Sequence, residues 1–398
     1  MISTTEEYCV RSTFAYPLVI SHGEGCYLED LDGNRYLDFN SNVCSAPLGY
    51  GHPAIRKAIE RPATSGAHKI AGQDFYTEEH AALARKLVSI TPGHLSKVFL
   101  TNTGTEAVEN CMKFVYRKHG ALPGVSCYGA FHGRTLGALT FTSSRPVHKF
   151  NFPQLPHRRI PFCIDDEDPR VDEVFQVLEN EKVAFMITEC VQGEGGYNFA
   201  STRFMSNLQK ASQEHGVPLI IDEVQTGIGR TGKWWAFQHY GLRPNLVSSA
   251  KAVQVGASIL QEDYEPKESG VVSTTWGGGD RISLAAGLAI IETIENENLM
   301  EKASEVGRSL LAGLREIKES FPEVITDADG LGLMLKIDFA DGELRDEVVK
   351  TAFKKNLLLL GAGKRTIRVV PPLIIEEKEA QKGLEIITES IKESIRLR

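Results

Sequence analysis

Short apolar runs that stop at charged or small residues are the clearest pattern along the chain. Residues 217–221 are apolar throughout and are followed at once by two carboxylates, Asp222 and Glu223. A run of this length is typical of a strand that is buried on both faces of a parallel sheet. Residues 246–247 form a second apolar pair, which leads through small residues to Lys251. The pattern therefore predicts two neighbouring strand ends that bring Asp222 and Lys251 to one crevice.

Other segments predict the remaining strands and helices. Residues 98–100 and 183–188 predict two further strands, the second of which ends at Glu189. Residues 23–39 alternate between apolar and polar side chains around Asp32-Gly33, which predicts a β-hairpin. A turn is predicted at residues 330–334 before another strand. Apolar residues recur at helical spacing in two stretches, at Ala107, Val108, Cys111, Met112 and Val115 and at Met300, Ala303, Val306, Leu310, Leu314 and Ile317. Strands that alternate with helices in this way predict an α/β fold.

Composition narrows the class of protein. The chain has 398 residues, of which 42% are hydrophobic, so it can bury a large core in two or three domains. Its net charge of −8 gives no reason to expect nucleic-acid or anionic-membrane binding. Seven cysteines without a Cys-x-x-Cys pair predict buried thiols, with no disulfide frame and no metal site. The sequence shows neither a membrane-length apolar run nor a signal-peptide core, which predicts a soluble cytoplasmic protein.

The stretch from Asp222 to Lys251 carries the strongest chemical signal. Pyridoxal phosphate requires a lysine for a Schiff base and a carboxylate that keeps its ring nitrogen protonated. Taken singly, Asp222 is equally well explained as a loop aspartate and Lys251 as a surface lysine. The sequence Asp-Glu-Val-Gln-Thr-Gly-Ile-Gly-Arg-Thr-Gly at 222–232, however, resembles the signature of the class III (subgroup II) aminotransferases. The resemblance implies that Asp222 pairs with the pyridinium and that Lys251 carries the Schiff base.

Further motifs extend the resemblance to a complete cofactor site. Gly104 and Thr105 open a predicted helix, whose N-terminus suits a phosphate, although Thr105 alone is equally explained as a helix cap. Residues 129–137, Gly-Ala-Phe-His-Gly-Arg-Thr-Leu-Gly, also match the family. Phe131 would lie on one face of the pyridoxal ring, unless it is a core aromatic beside a turn. The implied cofactor-binding residues are Gly104, Thr105, Phe131, His132, Asp222, Val224, Gln225, Lys251 and, across a dimer interface, Thr275.

Four residues are implied to bind the substrates. Glu194 lies among glycines and would act as a gate, because in the family this carboxylate pairs with an arginine while the ω-amino donor is bound and swings away for the keto acid. The matching arginine is Arg368, within Ile-Arg-Val-Val-Pro-Pro-Leu at 367–373. A static surface salt bridge is the plain alternative. Arg134 would lie near the substrate carboxylate. Val43 stands where ornithine enzymes place a tyrosine that holds the donor's α-carboxylate.

The resemblance covers about residues 23–373 and implies the pyridoxal-phosphate fold type I. We expect a large domain with a mostly parallel sheet and a small α+β domain. Residues 1–55 are predicted to form the N-terminal segment of the small domain, residues 56–279 the large cofactor-binding domain and residues 280–398 the C-terminal part of the small domain. The family also implies a homodimer whose active sites are shared between subunits.

The implied reaction moves an amino group from an ω-amino donor to 2-oxoglutarate by a ping-pong mechanism. Residues 251–256, Trp276 and residues 321–334 resemble L-lysine 6-aminotransferases, and Val43 also suits 4-aminobutyrate aminotransferases. Ser273 and Asn245 depart from the usual family residues, so the donor stays open.

Several alternatives to this reaction stay open. They are an N-acetylornithine or ornithine aminotransferase and an amino-acid racemase or aminomutase on the same fold. A dinucleotide-dependent dehydrogenase is disfavoured, since no Gly-x-Gly-x-x-Gly joins an early strand to a helix. A non-catalytic binding module conflicts with the presence of both Lys251 and Asp222.

Overall fold

The computed structural model describes residues 1–10, 13, 15–70, 74–274 and 278–398, and strands alternate with helices along most of them. The strands are β1 (Ile20–Glu24), β2 (Tyr27–Asp30), β3 (Arg35–Asp38), β4 (Lys97–Thr101), β5 (Gly124–Cys127), β6 (His157–Ile160), β7 (Phe185–Glu189), β8 (Val191–Gln192), β9 (Asn198–Phe199), β10 (Leu219–Asp222), β11 (Leu246–Ser249), β12 (Gly256–Leu260), β13 (Ile325–Leu331), β14 (Met334–Phe339), β15 (Leu357–Leu358), β16 (Leu360–Ala362) and β17 (Thr366–Val369). The helices are α1 (Ile2–Tyr8), α2 (Ser41–Cys44), α3 (Pro53–Thr64), α4 (Glu78–Ser89), α5 (Gly104–His119), α6 (Leu136–Phe141), α7 (Glu173–Asn180), α8 (Gly193–Gly196), α9 (Thr202–His215), α10 (Arg281–Asn296), α11 (Leu299–Ser320), α12 (Gly342–Lys354) and α13 (Glu377–Arg396).

The largest sheet has seven strands in the order β4-β12-β11-β10-β7-β5-β6. Neighbouring strands are parallel from β11 to β6, and only β12 runs antiparallel to its neighbours β11 and β4. Every residue of β5, β7, β10 and β11 is buried, and β7 and β10 contain the apolar runs at 185–187 and 219–221. The predicted α/β class with a mostly parallel sheet is confirmed.

The register of two central strands sets the position of the crevice. Strand β10 pairs in parallel with β11, and Asp222 is the partner of Ser248. Lys251 follows two residues after β11 and begins a short 3-10 turn that ends at Val253. The prediction that neighbouring strand ends bring Asp222 and Lys251 together is therefore confirmed.

One of the smaller sheets combines strands from the two ends of the chain. Its order is β1-β2-β3-β15, in which N-terminal strand β3 pairs in parallel with β15 from the C-terminal third. The other sheet has the order β13-β14-β17-β16. Strands β2 and β3 form the hairpin that the alternation around Asp32 and Gly33 predicts. The domain boundaries after residues 55 and 279 stay predictions.

Two local expectations are wrong. Cys9 is exposed, whereas the other six cysteines are buried, and all seven are free thiols. Residues 330 and 331 belong to β13, so the predicted turn is shorter and lies at Gly332 and Leu333. Gly332 has a φ of +59°, and a Cβ atom there would lie 2.5 Å from the carbonyl carbon of Thr231. The close approach of the 222–232 loop thus sets the position of this turn.

In the part of the chain that the structure describes, no helix combines the length and apolarity that crossing a bilayer requires. The same residues contain no group of three or more His, Cys, Asp or Glu side chains placed to hold a metal ion.

A buried arginine ties the smaller sheets to the loop that follows β10. The Arg230 guanidinium is 2% exposed. It donates to the carbonyls of Pro371 at 2.6 Å and Leu333 at 3.1 Å and to the Ser41 hydroxyl at 3.4 Å. Ser41 in turn donates to the Val370 carbonyl at 2.7 Å. Three segments that are distant in sequence are therefore fixed around one side chain.

Replacement of Arg230 by methionine tests this connection. The Arg230→Met variant leaves two buried carbonyl groups without their donor, so the free energy of unfolding should fall by about 2–4 kcal/mol. The midpoint of urea unfolding is the measurement. Lys210→Ala, which removes an exposed pair with Glu214, is the control and should change the midpoint very little. An Arg230→Met midpoint equal to that of the control would contradict the assignment.

Candidate active site

A cavity lies at the carboxyl ends of β10 and β11. Its lining contains nearly all the predicted cofactor residues, namely Gly104, Thr105, Phe131, His132, Asp222, Val224, Gln225 and Lys251, together with Glu189 and Glu194. A second, more open cavity shares Phe131, Val224 and Lys251 with the first and is also lined by Arg134. Thr275 and Trp276 lie outside the described residues. The structure therefore brings the separate sequence motifs to one place.

Three hydrogen bonds fix the carboxylate of Asp222. Oδ1 accepts from the Ser248 hydroxyl and from the backbone N–H of Val224, both at 3.0 Å. Oδ2 lies 2.8 Å from Nδ1 of His132. Since a carboxylate accepts only, Nδ1 of His132 is the donor in this contact. Asp222 is only 4% exposed, so these three hydrogen bonds determine the orientation of its carboxylate.

The amine of Lys251 lies within this cavity, and its pKa depends on burial and on the charged groups around it. Its backbone has a φ of +50°, an unusual value for a residue with a side chain, at the turn after β11. Burial lowers the pKa of the Lys251 amine, and the positive charge of Arg368 lowers it further, against the opposing effects of Glu194 and Asp222. A lowered pKa increases the fraction of neutral, nucleophilic amine.

The N-terminus of α5 forms one wall of the cavity. The helix cap is Thr103, whose hydroxyl accepts from the N–H of Glu106 at 3.3 Å, so Thr105 is not the cap. The Thr105 hydroxyl lies 2.7 Å from that of Thr135. A Cβ atom at Gly104 would lie 2.9 Å from Val224, so the close approach of these elements requires glycine. The first turn of α5 and the Thr105 hydroxyl can together bind an anion.

A second buried carboxylate supports the wall that carries Phe131. Glu189 accepts from the N–H of Phe131 and from the N–H of Gly193, both at 3.0 Å. Burial raises the pKa of Glu189 to about 7, an effect that nearby His132 opposes and Asp222 reinforces. The sequence indicated Glu189 only as the end of a strand. Its position after a buried strand, like that of Asp222, is the signal that it belongs to the site.

Glu194 and Arg368 form a buried ion pair beside Lys251. Nη2 of Arg368 lies 3.1 Å from Oε1 of Glu194 and donates to the Gly361 carbonyl at 2.8 Å. The Arg368 side chain is 2% exposed and that of Glu194 is 25% exposed, so this is not an exposed surface pair. Burial would raise the pKa of Glu194, but the charges of Arg368 and Lys251 hold it below its ordinary value. The predicted movement of Glu194 stays a prediction.

Two predicted substrate residues lie further out. Arg134 is exposed, with Nη2 3.5 Å from Nε2 of His148 and its guanidinium 5.9 Å from the centre of the Phe131 ring. Val43 lies in α2, whose four residues have φ values between 42° and 66°. The structure does not place Val43 in the described lining of either cavity. Arg134 therefore belongs to the outer cavity, whereas Val43 lines neither cavity.

Buried polar atoms without partners show what kind of ligand the inner cavity suits. Among the described residues, neither Nε2 of His132 nor Nε2 of Gln225 has a hydrogen-bond partner. Buried polar groups are nearly always paired, so these atoms indicate a polar ligand. An amine at Lys251, a fixed carboxylate at Asp222 and the N-terminus of α5 match the aldehyde, the ring nitrogen and the phosphate of pyridoxal phosphate. The residues present fit this cofactor.

Comparison with known proteins decides the family. Residues 8–391 match the model of the class-III aminotransferases. The chain belongs to this family. Acetylornithine aminotransferase of Archaeoglobus fulgidus is 34% identical over 97% of this chain and 99% of its own. The alanine/serine racemase of Pyrococcus horikoshii is 33% identical over 96% of this chain and 87% of its own.

A solved structure of the family agrees with the fold. Lysine aminotransferase from M. tuberculosis, in the internal aldimine form, has a TM-score of 0.91 and 26% identity, with 98% of each chain covered. The protein is therefore an aminotransferase of fold type I that depends on pyridoxal phosphate. The predicted family, fold and cofactor are confirmed, whereas the relatives leave the amino donor unresolved.

The buried carboxyl of Glu189 predicts a pH-dependent stability. An unfolded Glu loses its proton near pH 4.3, whereas folded Glu189 keeps it until about pH 7. The folded state thus binds the extra proton, and the stability that this group contributes at low pH is lost as the pH rises towards 7. The Glu189→Gln variant lacks this titration, so wild type should lose stability relative to it between pH 5 and 7.5.

Urea midpoints at several pH values measure this difference. Glu179→Gln, at an exposed position of α7, is the matched control and should follow the wild-type curve. Parallel curves for wild type and Glu189→Gln would show that Glu189 does not titrate in this range.

Proposed function

We propose that the protein transfers the ω-amino group of an N-acetylornithine-type donor to 2-oxoglutarate. The observation that carries the reaction is the inner cavity, which is lined by the Lys251 amine, the fixed Asp222 carboxylate and Glu194, the ion-pair partner of Arg368. The donor is proposed from the near full-length similarity to acetylornithine aminotransferase. The main prediction from the sequence is a lysine-like or 4-aminobutyrate-like donor, with N-acetylornithine as an alternative. The relatives support that alternative better.

Each group in the inner cavity has a distinct task in this proposal. Pyridoxal phosphate, when bound, supplies a ring that accepts the electrons of the donor's C–H bond. The neutral amine of Lys251 would accept the proton of the donor carbon at Nζ and later release it from the same atom. Asp222 holds a proton at the ring nitrogen, and its three hydrogen bonds keep the carboxylate in place. Gly104 and Thr105 bind the phosphate at the start of α5.

The remaining residues orient the cofactor and hold the substrates. Phe131 and Val224 enclose the ring, and the free amide of Gln225 is available to its phenolic oxygen. Arg134, in the outer cavity, suits a donor carboxylate.

The Glu194–Arg368 pair allows one cavity to accept two different substrates. An ω-amino donor presents an uncharged chain near Arg368, whose charge is then balanced by Glu194. Among the described residues, Nε and Nη1 of Arg368 have no partner, so either can donate to a carboxylate beside Nη2 once Glu194 leaves that atom. When 2-oxoglutarate enters, its carboxylate can replace Glu194 in a two-point contact. The guanidinium is therefore paired in both half-reactions.

A homodimer is part of the same proposal. It rests on the family resemblance, which implies that Thr275 reaches the phosphate of the neighbouring subunit. The open outer cavity beside Lys251 is compatible with a second subunit at its rim.

Racemisation is a second candidate, favoured by the similarity to the alanine/serine racemase. A racemase would use the same Lys251 and Asp222 but would return the proton to the donor carbon, so no keto acid would be consumed. The two activities therefore differ in their products and not in their cofactor residues.

A donor panel separates these candidates. The purified holoenzyme is given N-acetylornithine, L-ornithine, L-lysine or 4-aminobutyrate with 2-oxoglutarate, and glutamate is measured. We expect the highest kcat/KM for N-acetylornithine, because the similarity to acetylornithine aminotransferase spans nearly both chains. A higher value for lysine or 4-aminobutyrate would overturn the donor. D-alanine or D-serine formed from the L-isomer, without glutamate from any donor, would overturn transamination.

Lys251 has its own test. Borohydride treatment of the wild-type holoenzyme should fix the cofactor on the peptide that contains residue 251, as read by mass spectrometry. Lys251→Ala should lose this label and lower kcat by roughly 10³-fold or more. Lys233→Ala, at an exposed lysine, should keep both the label and the activity. A label on any other lysine of the wild type would contradict the assignment.

A further inference from the structure

We propose that Tyr197 is a positioning residue that holds the Arg368 guanidinium in place through its aromatic face while Glu194 is turned away. The inference rests on the proposed binding of 2-oxoglutarate by Arg368 and adds a residue that the family resemblance does not assign. The observation behind it is that the Arg368 guanidinium carbon lies 5.7 Å from the centre of the Tyr197 ring. A cation this close to an aromatic face is attracted by the ring, and more strongly where water is excluded.

The hydrogen bonds of Arg368 do not fix the guanidinium by themselves. Both of its partners among the described residues, Glu194 and the Gly361 carbonyl, contact the same atom, Nη2. Nε and Nη1 are buried and have no partner in that part of the chain. When Glu194 leaves, the Gly361 carbonyl alone remains of these two acceptors. A group held at one atom can still turn, whereas contact with a flat ring restricts its plane.

Tyr197 is itself rigidly placed. It is fully buried and follows α8 with a φ of +54°, and its N–H donates to the Gln192 carbonyl at 2.8 Å. Its ring packs in a cluster with Cys44, Val191, Met334, Ala362 and Val370. The hydroxyl lies 3.9 Å from Sγ of Cys44, which is a weak contact. The position of the ring is therefore set by the surrounding packing and not by the hydroxyl.

An aromatic face suits this task better than a second carboxylate. A carboxylate would occupy the free N–H groups of Arg368 and would compete with the acceptor for them. The ring attracts the cation from the side and leaves Nε and Nη1 free to donate. The Tyr197 ring also lies on the same short segment as Glu194, because only two glycines of α8 separate the two residues. This segment therefore provides Arg368 with one partner that can leave, Glu194, and with one that stays, Tyr197.

The test compares the two half-reactions in Tyr197 variants of the holoenzyme. Tyr197→Leu removes the aromatic face, and we expect the KM for 2-oxoglutarate to rise about tenfold. The KM for the amino donor and kcat should stay within about twofold of wild type, because Glu194 holds Arg368 while the donor is bound. Tyr197→Phe keeps the ring and should behave as wild type. Tyr197→Met, closer in volume, replaces the leucine variant if that variant does not fold.

Phe199→Leu is the matched control. Phe199 packs against the same buried cluster, and its replacement tests whether loss of an aromatic side chain there acts through packing alone. We expect no selective change in the KM for 2-oxoglutarate. Equal effects of Tyr197→Leu on both half-reactions, or the same pattern in Phe199→Leu, would overturn the inference. A Tyr197→Phe variant as impaired as Tyr197→Leu would also overturn it, since the hydroxyl would then be responsible.

An Arg368→Gln variant separates this inference from the proposed function. If it raises the KM for 2-oxoglutarate strongly while Tyr197→Leu does not, the inference fails and the use of Arg368 stands. If Arg368→Gln leaves that KM unchanged, the proposed use of Arg368 fails, and the inference fails with it.

Discussion

The parallel register of β10 and β11 is the constraint on which the site depends. Both strands run in the same direction and end at the same edge of the sheet, so Asp222 lies beside Ser248 and close to the turn that starts at Lys251. The hydrogen bond from Ser248 to Asp222 exists only in this register. A shift by one residue would turn the side chains of a strand to the opposite face and separate the carboxylate from the amine. Complete burial of both strands makes such a shift costly.

The buried contacts of Arg230 extend this order to the substrate side. Arg368 lies in β17, and the carbonyls of Val370 and Pro371, just after that strand, accept from Ser41 and Arg230. The loop after β10 therefore fixes the C-terminal segment as well as the cofactor side of the cavity. Strand β15 pairs with β3 from the N-terminus and holds the two ends of the chain together. The site thus requires residues from the start, the middle and the end of the sequence.

Sequence patterns predicted those structural features that depend on residues close together in the chain. The apolar run before Asp222, the alternation around Asp32 and the helical stripe of α11 each depend on neighbouring residues, and each was found where expected. The resemblance to the family supplied most residues of the inner cavity but not Glu189. The partners of Arg230, the His132–Asp222 hydrogen bond and the ring of Tyr197 over Arg368 join residues more than 80 positions apart. Periodicity carries no information on such pairs, nor on the positive φ values of α2.

The groups around Lys251 suit the proposed exchange of substrates in this cavity. The Lys251 amine and the Arg368 guanidinium lie near two carboxylates, those of Asp222 and Glu194. Asp222 is held by three donors and cannot leave, whereas the carboxylate of Glu194 is held by Arg368 and lies on a glycine-rich turn. In the proposed reaction, an entering dicarboxylate would displace the less restrained of the two anions. The buried charge would stay balanced, because one carboxylate would replace another beside a guanidinium that keeps its place.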